Sequence, residues 1–342
     1  MILSSPRLEI VGTGSYVPDE VIPNSYFEGR DLFNYDASGN KVGGPVRLTS
    51  EKIVKQTGVL ERRRSKPDEW PSDMAHVAAS RALENAGFSV NSLVGIILAS
   101  VTERCNFPSG ACKLQEKLGA RNVCVAYDMQ NACAGFPEAL MEADARALRV
   151  PGNYLVVASE ALTKIVGFDD VNSDLFGDGA GAVVLKPTKG ERGIVAGYPK
   201  SDPFGGKLRY ITKDSIDLLR MPEGPNVLKS AVRSMIEAGN SLKRDLEWEK
   251  VRLIIPHQAN SRIVGGVAER IGAKIVTDVS EIEGYDGTLV FQNVARYGNI
   301  SAVTCPLALD ECRRKGIIRE GDRVEIISFG SGIVTSGVAV QF

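Results

Sequence analysis

The chain has 342 residues, 43% of them hydrophobic and 24% charged, with a formal net charge of −1. That length can bury a full core in one large or two ordinary domains, and the composition is that of a globular protein. The near-neutral balance excludes a global pull toward nucleic acid or a membrane surface, so an anionic partner must be met by a local patch.

Residues 1–7 lack the basic and then apolar pattern of a signal peptide. No apolar run approaches the ~20 residues of a membrane helix, and both readings point to the cytoplasm. Six cysteines, at 105, 112, 124, 133, 305 and 312, form no CxxC pair, and the only histidines are His76 and His257. Reduced thiols, no metal and no cofactor are the expectation.

The opening 8–18 reads as a strand entering a Gly/Pro turn; its GTGS lacks the lysine of a P-loop and the third glycine of a dinucleotide fingerprint. Residues 24–48, rich in Gly, Asn and Asp, form an excursion from the core. A short capped helix at 50–57 ends at Gly58, and Arg62-Arg63-Arg64 reads as a solvated basic turn. The spacing predicts an amphipathic helix over 72–86, a buried strand over 93–100, a helix over 110–119 and a buried strand over 123–127. Cys133 then stands where that strand hands over to the helix at 138–148. A helix entrance favours a thiolate nucleophile, yet a small core cysteine suits the same place. A strand at 153–159 and a glycine-laden turn and strand at 176–185 complete the first half.

The second half repeats the plan: strand 193–199, helix 226–238, strand 251–257 and a Gly-turn-strand at 329–340. Two similar α/β halves, 1–187 and 188–342, are expected. At strand ends of the second half stand His257 and, before a helix, Asn299. Each alone has an ordinary structural reading, a core histidine and a Gly-Asn turn. Cys, His and Asn at element ends of an α/β sheet are also a coherent nucleophilic set.

With GTGSYVP (12–18), TGVLERR (57–63), NFPSGAC (106–112), NACAGF (131–136), FGDGAGAVVL (176–185), PHQANSRI (256–263), YGNISA (297–302) and FGSG (329–332), the sequence resembles the β-ketoacyl-ACP synthase III family of the thiolase superfamily over essentially its whole length. The resemblance implies a duplicated thiolase-like α/β fold in five layers, αβαβα. It implies a decarboxylative Claisen condensation in fatty acid biosynthesis. Cys133 would take the acyl group from an acyl-CoA or acyl-ACP, and malonyl-ACP would lose CO₂ and attack it. His257 Nε2 and the Asn299 amide would hold the enolate oxygen, and the backbone N–H groups of Cys133 and Ser331 the acyl carbonyl. Phe107 would reach into a homodimer partner, Asn260 would support the site through water, and Lys229, Arg262 and Arg270 would meet acyl carrier protein or CoA phosphates.

Three departures bear on the acyl donor. Lys52 and Lys164 stand where the family places a Trp and an Arg on the CoA adenine, the excursion at 24–48 is extra, and the stretch 282–294 is expected near the entrance. A degradative thiolase would need a second thiol in the 329–332 turn, which has none. A 3-hydroxy-3-methylglutaryl-CoA synthase would need a general-acid Glu; Glu103 and Glu138 are nearby but sit in no matching motif. A specialised ketosynthase III relative, or a non-catalytic binding protein on this fold, are the alternatives.

Overall fold

A computed structural model describes residues 8–36, 38–202, 212–213, 218–221 and 224–342; the leaderless reading of residues 1–7 lies outside them. Two sheets dominate. The first contains β1 (Leu8–Tyr16), β2 (Leu93–Ala99), β3 (Val125–Met129), β4 (Asn153–Ala161) and β5 (Asp178–Pro187), ordered β1-β5-β4-β2-β3. The second contains β6 (Gly193–Ser201), β7 (Leu253–Pro256), β8 (Lys274–Val276), β9 (Leu289–Phe291), β10 (Arg323–Gly330) and β11 (Val334–Gln341), ordered β6-β11-β10-β7-β9-β8.

The halves match in direction as well as order. In each, the first two pairings from the β1 or β6 edge are antiparallel and the rest parallel. Each opening strand even slips register at the same place, between Ile10 and Gly12 and between Ile194 and Ala196. Only β8 has no counterpart in the first sheet.

Helices α1 (Ser50–Thr57), α2 (Pro71–Ala86), α3 (Gly110–Leu118), α4 (Gly135–Ala147), α5 (Gly224–Asp245), α6 (Ser261–Ile271) and α7 (Thr304–Arg314) complete the frame. α2 and α3 cover the outer face of the first sheet, and α5 and α6 that of the second; α4 and α7 lie between the sheets and touch both. The result is five layers, αβαβα. α2 buries Met74, Ala75, Ala78, Ala79, Ala82 and Leu83, the i, i+3, i+4 stripe of its sequence. Its alanines let the helix lie on β1, where a Cβ added to Gly12 would meet the Ala82 carbonyl oxygen at 2.3 Å. The central core joins Phe136, Leu140 and Tyr154 to Ile255, Phe291, Leu309 and Ile326.

Two local expectations are corrected. The 123–127 segment is an edge strand, β3, and is only half-buried along its length, because nothing pairs with its outer side among the described residues. Arg62 is not a solvated turn residue. It sits in the strand Glu61–Arg64 with 1% exposure, where its guanidinium donates to the Ile22 carbonyl, Asn24 Oδ1 and the Asp174 carbonyl. Strand alternation turns it inward, where acceptors from distant parts of the chain take its two terminal NH₂ groups.

The excursion is a hairpin of Leu32–Tyr35 and Lys41–Val46. It is tied to the 169–171 loop by Phe33 N–H to the Asp169 carbonyl (2.7 Å), Val171 N–H to the Phe33 carbonyl (2.9 Å) and Tyr35 Oη–H to Asp169 Oδ2 (2.7 Å). Arg220 stacks on the Tyr35 ring, 3.8 Å from its centroid, and pairs with Asp170 at 3.0 Å, both partners buried.

Candidate active site

β3 runs into a short 3₁₀ turn, Ala132–Ala134, that leads directly into α4. Ala132 carries φ +45°, a left-handed conformation that an alanine adopts only under constraint. The second half repeats this device: the turn Ser301–Val303 leads into α7, and Ser301 carries φ +49°. These two turns bring Cys133 and Asn299 to one place between the sheets. His257 follows the last residue of β7, at its C-terminal end.

A cavity of about 470 Å³ receives all three side chains. Cys133, His257 and Asn299 are 7%, 3% and 4% exposed, whereas Lys229 and Arg262, which line the same cavity, are exposed. The space therefore runs from a cationic rim to a buried, polar end. Its walls mix apolar side chains, Val171, Leu175, Leu228, Ile263 and Phe329 among them, with the polar Gln56, Thr57, Asn172 and Asp174. Ser331 lines it as well.

The 329–332 turn lies directly over the Ala132–Ala134 turn that carries Cys133. Ser328 Oγ–H donates to the Cys133 carbonyl at 2.6 Å. A Cβ on Gly330 would stand 2.9 Å from the Asn131 carbonyl oxygen and 3.3 Å from the Cys133 nitrogen, so only glycine allows this approach.

Burial pushes the Cys133 thiol up to about 11; a hydrogen bond with Ser301 opposes this, and the charge of Glu160 adds to it. Burial likewise pushes His257 down to about 3. The resting pair is a neutral thiol and a neutral imidazole. This corrects the expectation of a dipole-stabilised thiolate: a helix end contributes roughly 0.3–1 kcal/mol, and desolvation of a fully buried sulfur outweighs it.

Hydrogen bonds orient the other two groups. Asn299 Oδ1 accepts from Ser301 N–H at 2.9 Å, which leaves its NH₂ as the free donor end. His257 Nδ1 lies 2.7 Å from Thr304 Oγ1. Asn260 caps α6, accepting from Arg262 N–H at 2.8 Å, and donates to the Gln56 carbonyl at 3.2 Å while lining the cavity.

Several expected residues stand elsewhere. Arg270 lines a different cavity, of about 180 Å³, with Lys243 and the buried Glu325. It lies two helical turns beyond Arg262, which carries it away from the rim. Phe107 is 86% exposed and lines neither cavity. None of 282–294 lines the cavity that holds Cys133; Tyr285 and Asp286 belong to a crevice with Arg252 and Arg319. Lys164 donates to the carbonyls of Lys66 (2.6 Å) and Pro67 (3.2 Å). Glu103 is held by Lys113 at 3.1 Å and by Ser72 N–H at 3.0 Å.

Sequence reasoning missed Ser301, Ser328, Thr304 and Glu160. Thr304 follows Asn299 by five residues and opens a helix, a spacing that carries no recognisable motif. Glu160, at the end of β4, accepts from Thr102 and Val101, and burial pushes it up to about 8. Cys305 is buried, its thiol pushed up to about 12 by burial, and it does not line the cavity.

Comparisons with known proteins agree with this architecture. Profiles of the families described as 3-oxoacyl-[acyl-carrier-protein (ACP)] synthase III and 3-oxoacyl-[acyl-carrier-protein (ACP)] synthase III C terminal match residues 127–203 and 242–342. The chain is 35% identical over 354 residues to a β-ketoacyl-[acyl-carrier-protein] synthase III of Caldanaerobacter subterraneus subsp. tengcongensis, covering 97% of each. Among solved structures it is similar to the 3-oxoacyl-[acyl-carrier-protein] synthase III of Aquifex aeolicus, with a TM-score of 0.84, 33% identity and coverage of 98% and 100% of the two chains. It is also similar to the priming β-ketosynthase of the R1128 polyketide pathway, with a TM-score of 0.82, 27% identity and coverage of 99% and 98%.

Proposed function

The chain belongs to the 3-oxoacyl-[acyl-carrier-protein] synthase III family, and from that premise we propose that it is an acyltransferase of fatty acid biosynthesis, condensing an acyl thioester with malonyl-ACP through an acyl-Cys133 intermediate. The observation that carries this reading is one cavity in which exposed cations form the rim and Cys133, His257 and Asn299 the buried end.

That geometry supports the following steps. The acyl thioester enters past Lys229 and Arg262, whose charges suit CoA phosphates or an acidic carrier protein. Cys133 sulfur attacks the thioester carbonyl, its proton leaves with the departing thiol, and the acyl group is left on Cys133. The backbone N–H groups of Cys133 and Ser331 receive the developing oxyanion. Malonyl-ACP next loses CO₂; the electron pair of the broken C–C bond becomes an enolate, held by donors from His257 and Asn299 in a water-poor site. Its carbon attacks the acyl carbonyl, a new C–C bond forms, and Cys133 leaves as a thiolate that is reprotonated. A neutral His257 suits this role, because it stabilises the enolate oxygen without supplying an acid strong enough to quench the carbanion.

The protein acts in the cytoplasm as a homodimer. Edge strand β3 is half-buried with no strand paired to its outer edge among the described residues, and Phe107 is exposed on the loop after β2. A second copy laid along β3 would cover both and bring Phe107 toward the partner's acyl pocket; light scattering in solution tests this. No helix among the described residues is long and apolar enough to cross a membrane.

Malonyl-ACP offered with a panel of acyl-CoAs and acyl-ACPs, to wild type and to Cys133→Ala, tests the main reading. Acyl mass belongs on Cys133 alone, and a 3-oxoacyl product appears only with wild type. Acylation of another cysteine with Cys133 untouched refutes the assignment. A priming role in a specialised pathway is the second reading. It is favoured by the hairpin that braces the 169–171 loop, next to Val171 and Met221 of the cavity wall, and a preference for unusual acyl donors in the same panel selects it.

A further inference from the structure

The chemistry above asks His257 to present a hydrogen from Nε2, and a neutral imidazole carries only one N–H. Which nitrogen holds it is decided on the far side of the ring. There Nδ1 lies 2.7 Å from Thr304 Oγ1, its one hydrogen-bond partner among the described residues.

The threonine hydroxyl has a single hydrogen and two acceptors within reach, since the Ser301 carbonyl stands 3.0 Å away. If the hydroxyl donates to that carbonyl, it must accept from Nδ1–H. Nε2 then faces the cavity as a bare lone pair, which is a base. If the hydroxyl donates to Nδ1, the ring proton sits on Nε2 and the cavity meets a donor. The Ser301 carbonyl does not need the hydroxyl, because the backbone N–H of Thr304 already donates to it. Nδ1 has no such second source.

We infer that Thr304 is a positioning residue for the condensation: its hydroxyl donates to His257 Nδ1 and holds the imidazole in the Nε2–H tautomer. One short segment thus aims both enolate-binding donors. Ser301 N–H occupies the Asn299 carbonyl end at 2.9 Å and turns its NH₂ outward; Thr304 O–H occupies Nδ1 and turns the imidazole N–H outward. Burial keeps the ring neutral, which is why the tautomer matters, since an imidazolium would donate from both nitrogens. The inference rests on the reading of His257 and Asn299 as the enolate-binding pair.

The test is tautomer assignment by nitrogen NMR on histidine-labelled protein, which is tractable because the chain has only two histidines. His76→Gln, a change on α2 away from the cavity, removes the second signal. Wild type and Thr304→Ser are expected to carry the proton on Nε2. Thr304→Val, which keeps the branched shape but has no hydroxyl, is expected to lose that preference. Its condensation kcat should fall about 10²-fold, the scale of one lost oxyanion donor, with acylation of Cys133 unchanged and the rate restored in Thr304→Ser.

A wild-type ring protonated on Nδ1 overturns the inference, and that spectrum needs no variant to fold. A Thr304→Val protein that keeps the Nε2–H form also overturns it, whatever its rate. Failure of the proposed function looks different: wild type would take no acyl group on Cys133, whichever nitrogen bears the proton.

Discussion

Gly330→Ala is the sharpest test of how the two halves build the acylation site. The new methyl carbon would fall 2.9 Å from the Asn131 carbonyl oxygen, 3.0 Å from the Ala134 nitrogen and 3.3 Å from the Cys133 nitrogen. All three are backbone atoms of the nucleophile turn, so none can swing aside as a flexible side chain does. The Ser328 hydroxyl, 2.6 Å from the Cys133 carbonyl, pins the same two segments from the other side. Overpacking of this kind costs about 1–3 kcal/mol of stability. The larger effect is on catalysis, because relief requires the 330–332 backbone to withdraw and take the Ser331 N–H with it. Losing one oxyanion donor costs about 2.7–4 kcal/mol of barrier, or 10²–10³ in rate. Rapid-quench mass spectrometry of acyl-Cys133 formation measures that rate, and a thermal melt measures the stability term. A Gly330→Ala enzyme that melts with wild type and acylates at the wild-type rate would show that the loop does not form the oxyanion hole.

Other outcomes follow from the same geometry. His257→Ala should slow malonyl decarboxylation by about 10²–10³ while Cys133 acylation persists; equal loss in both half-reactions, followed separately, would assign the imidazole as a base. Arg220→Met strands the buried Asp170 and should cost about 3–5 kcal/mol in a thermal or urea melt, while adding Asp170→Asn recovers much of it; no loss in the single variant would mean that the hairpin does not depend on this pair. Burial pushes Glu325 up to about 8, so the folded protein holds a proton there that the unfolded chain has released above its ordinary carboxylate range. That contribution favours folding at low pH and is lost as pH rises toward 8, so Glu325→Gln should melt higher than wild type at pH 8 and level with it near pH 4. A flat difference across that range would show that Glu325 ionises freely in the fold.

Much of this protein was legible in its sequence. Continuous apolar runs marked β2 and β4, glycine turns joined to apolar runs marked β1 and β5, the alanine stripe marked α2, and the recurrence of strand, helix and Gly-turn-strand marked two similar halves. These signals are local: a period of two or of 3.6 declares which face is buried, and a glycine declares where the backbone must bend. Cys133, His257 and Asn299 were identifiable because each ends an element and because their motifs occur together. Tertiary structure decided what no local pattern encodes. Arg62, read as a solvated turn, is buried because distant carbonyls of Ile22 and Asp174 converge on it. Arg270 shares a helix with Arg262 but opens onto another cavity, since a helix presents residues eight apart at different heights along its axis. Burial pushes the Cys133 thiol up and the His257 imidazole down, an effect of the folded surroundings that opposes the helix-end field visible in the sequence. Thr304, the hydrogen-bond partner of His257, is met only once the 299–304 segment is folded beside β7. Chain chemistry sets which groups are available; folding sets how deeply Cys133 and His257 are buried and brings Thr304 to the His257 ring, because burial and long-range partners come from residues that no local pattern of the sequence brings together.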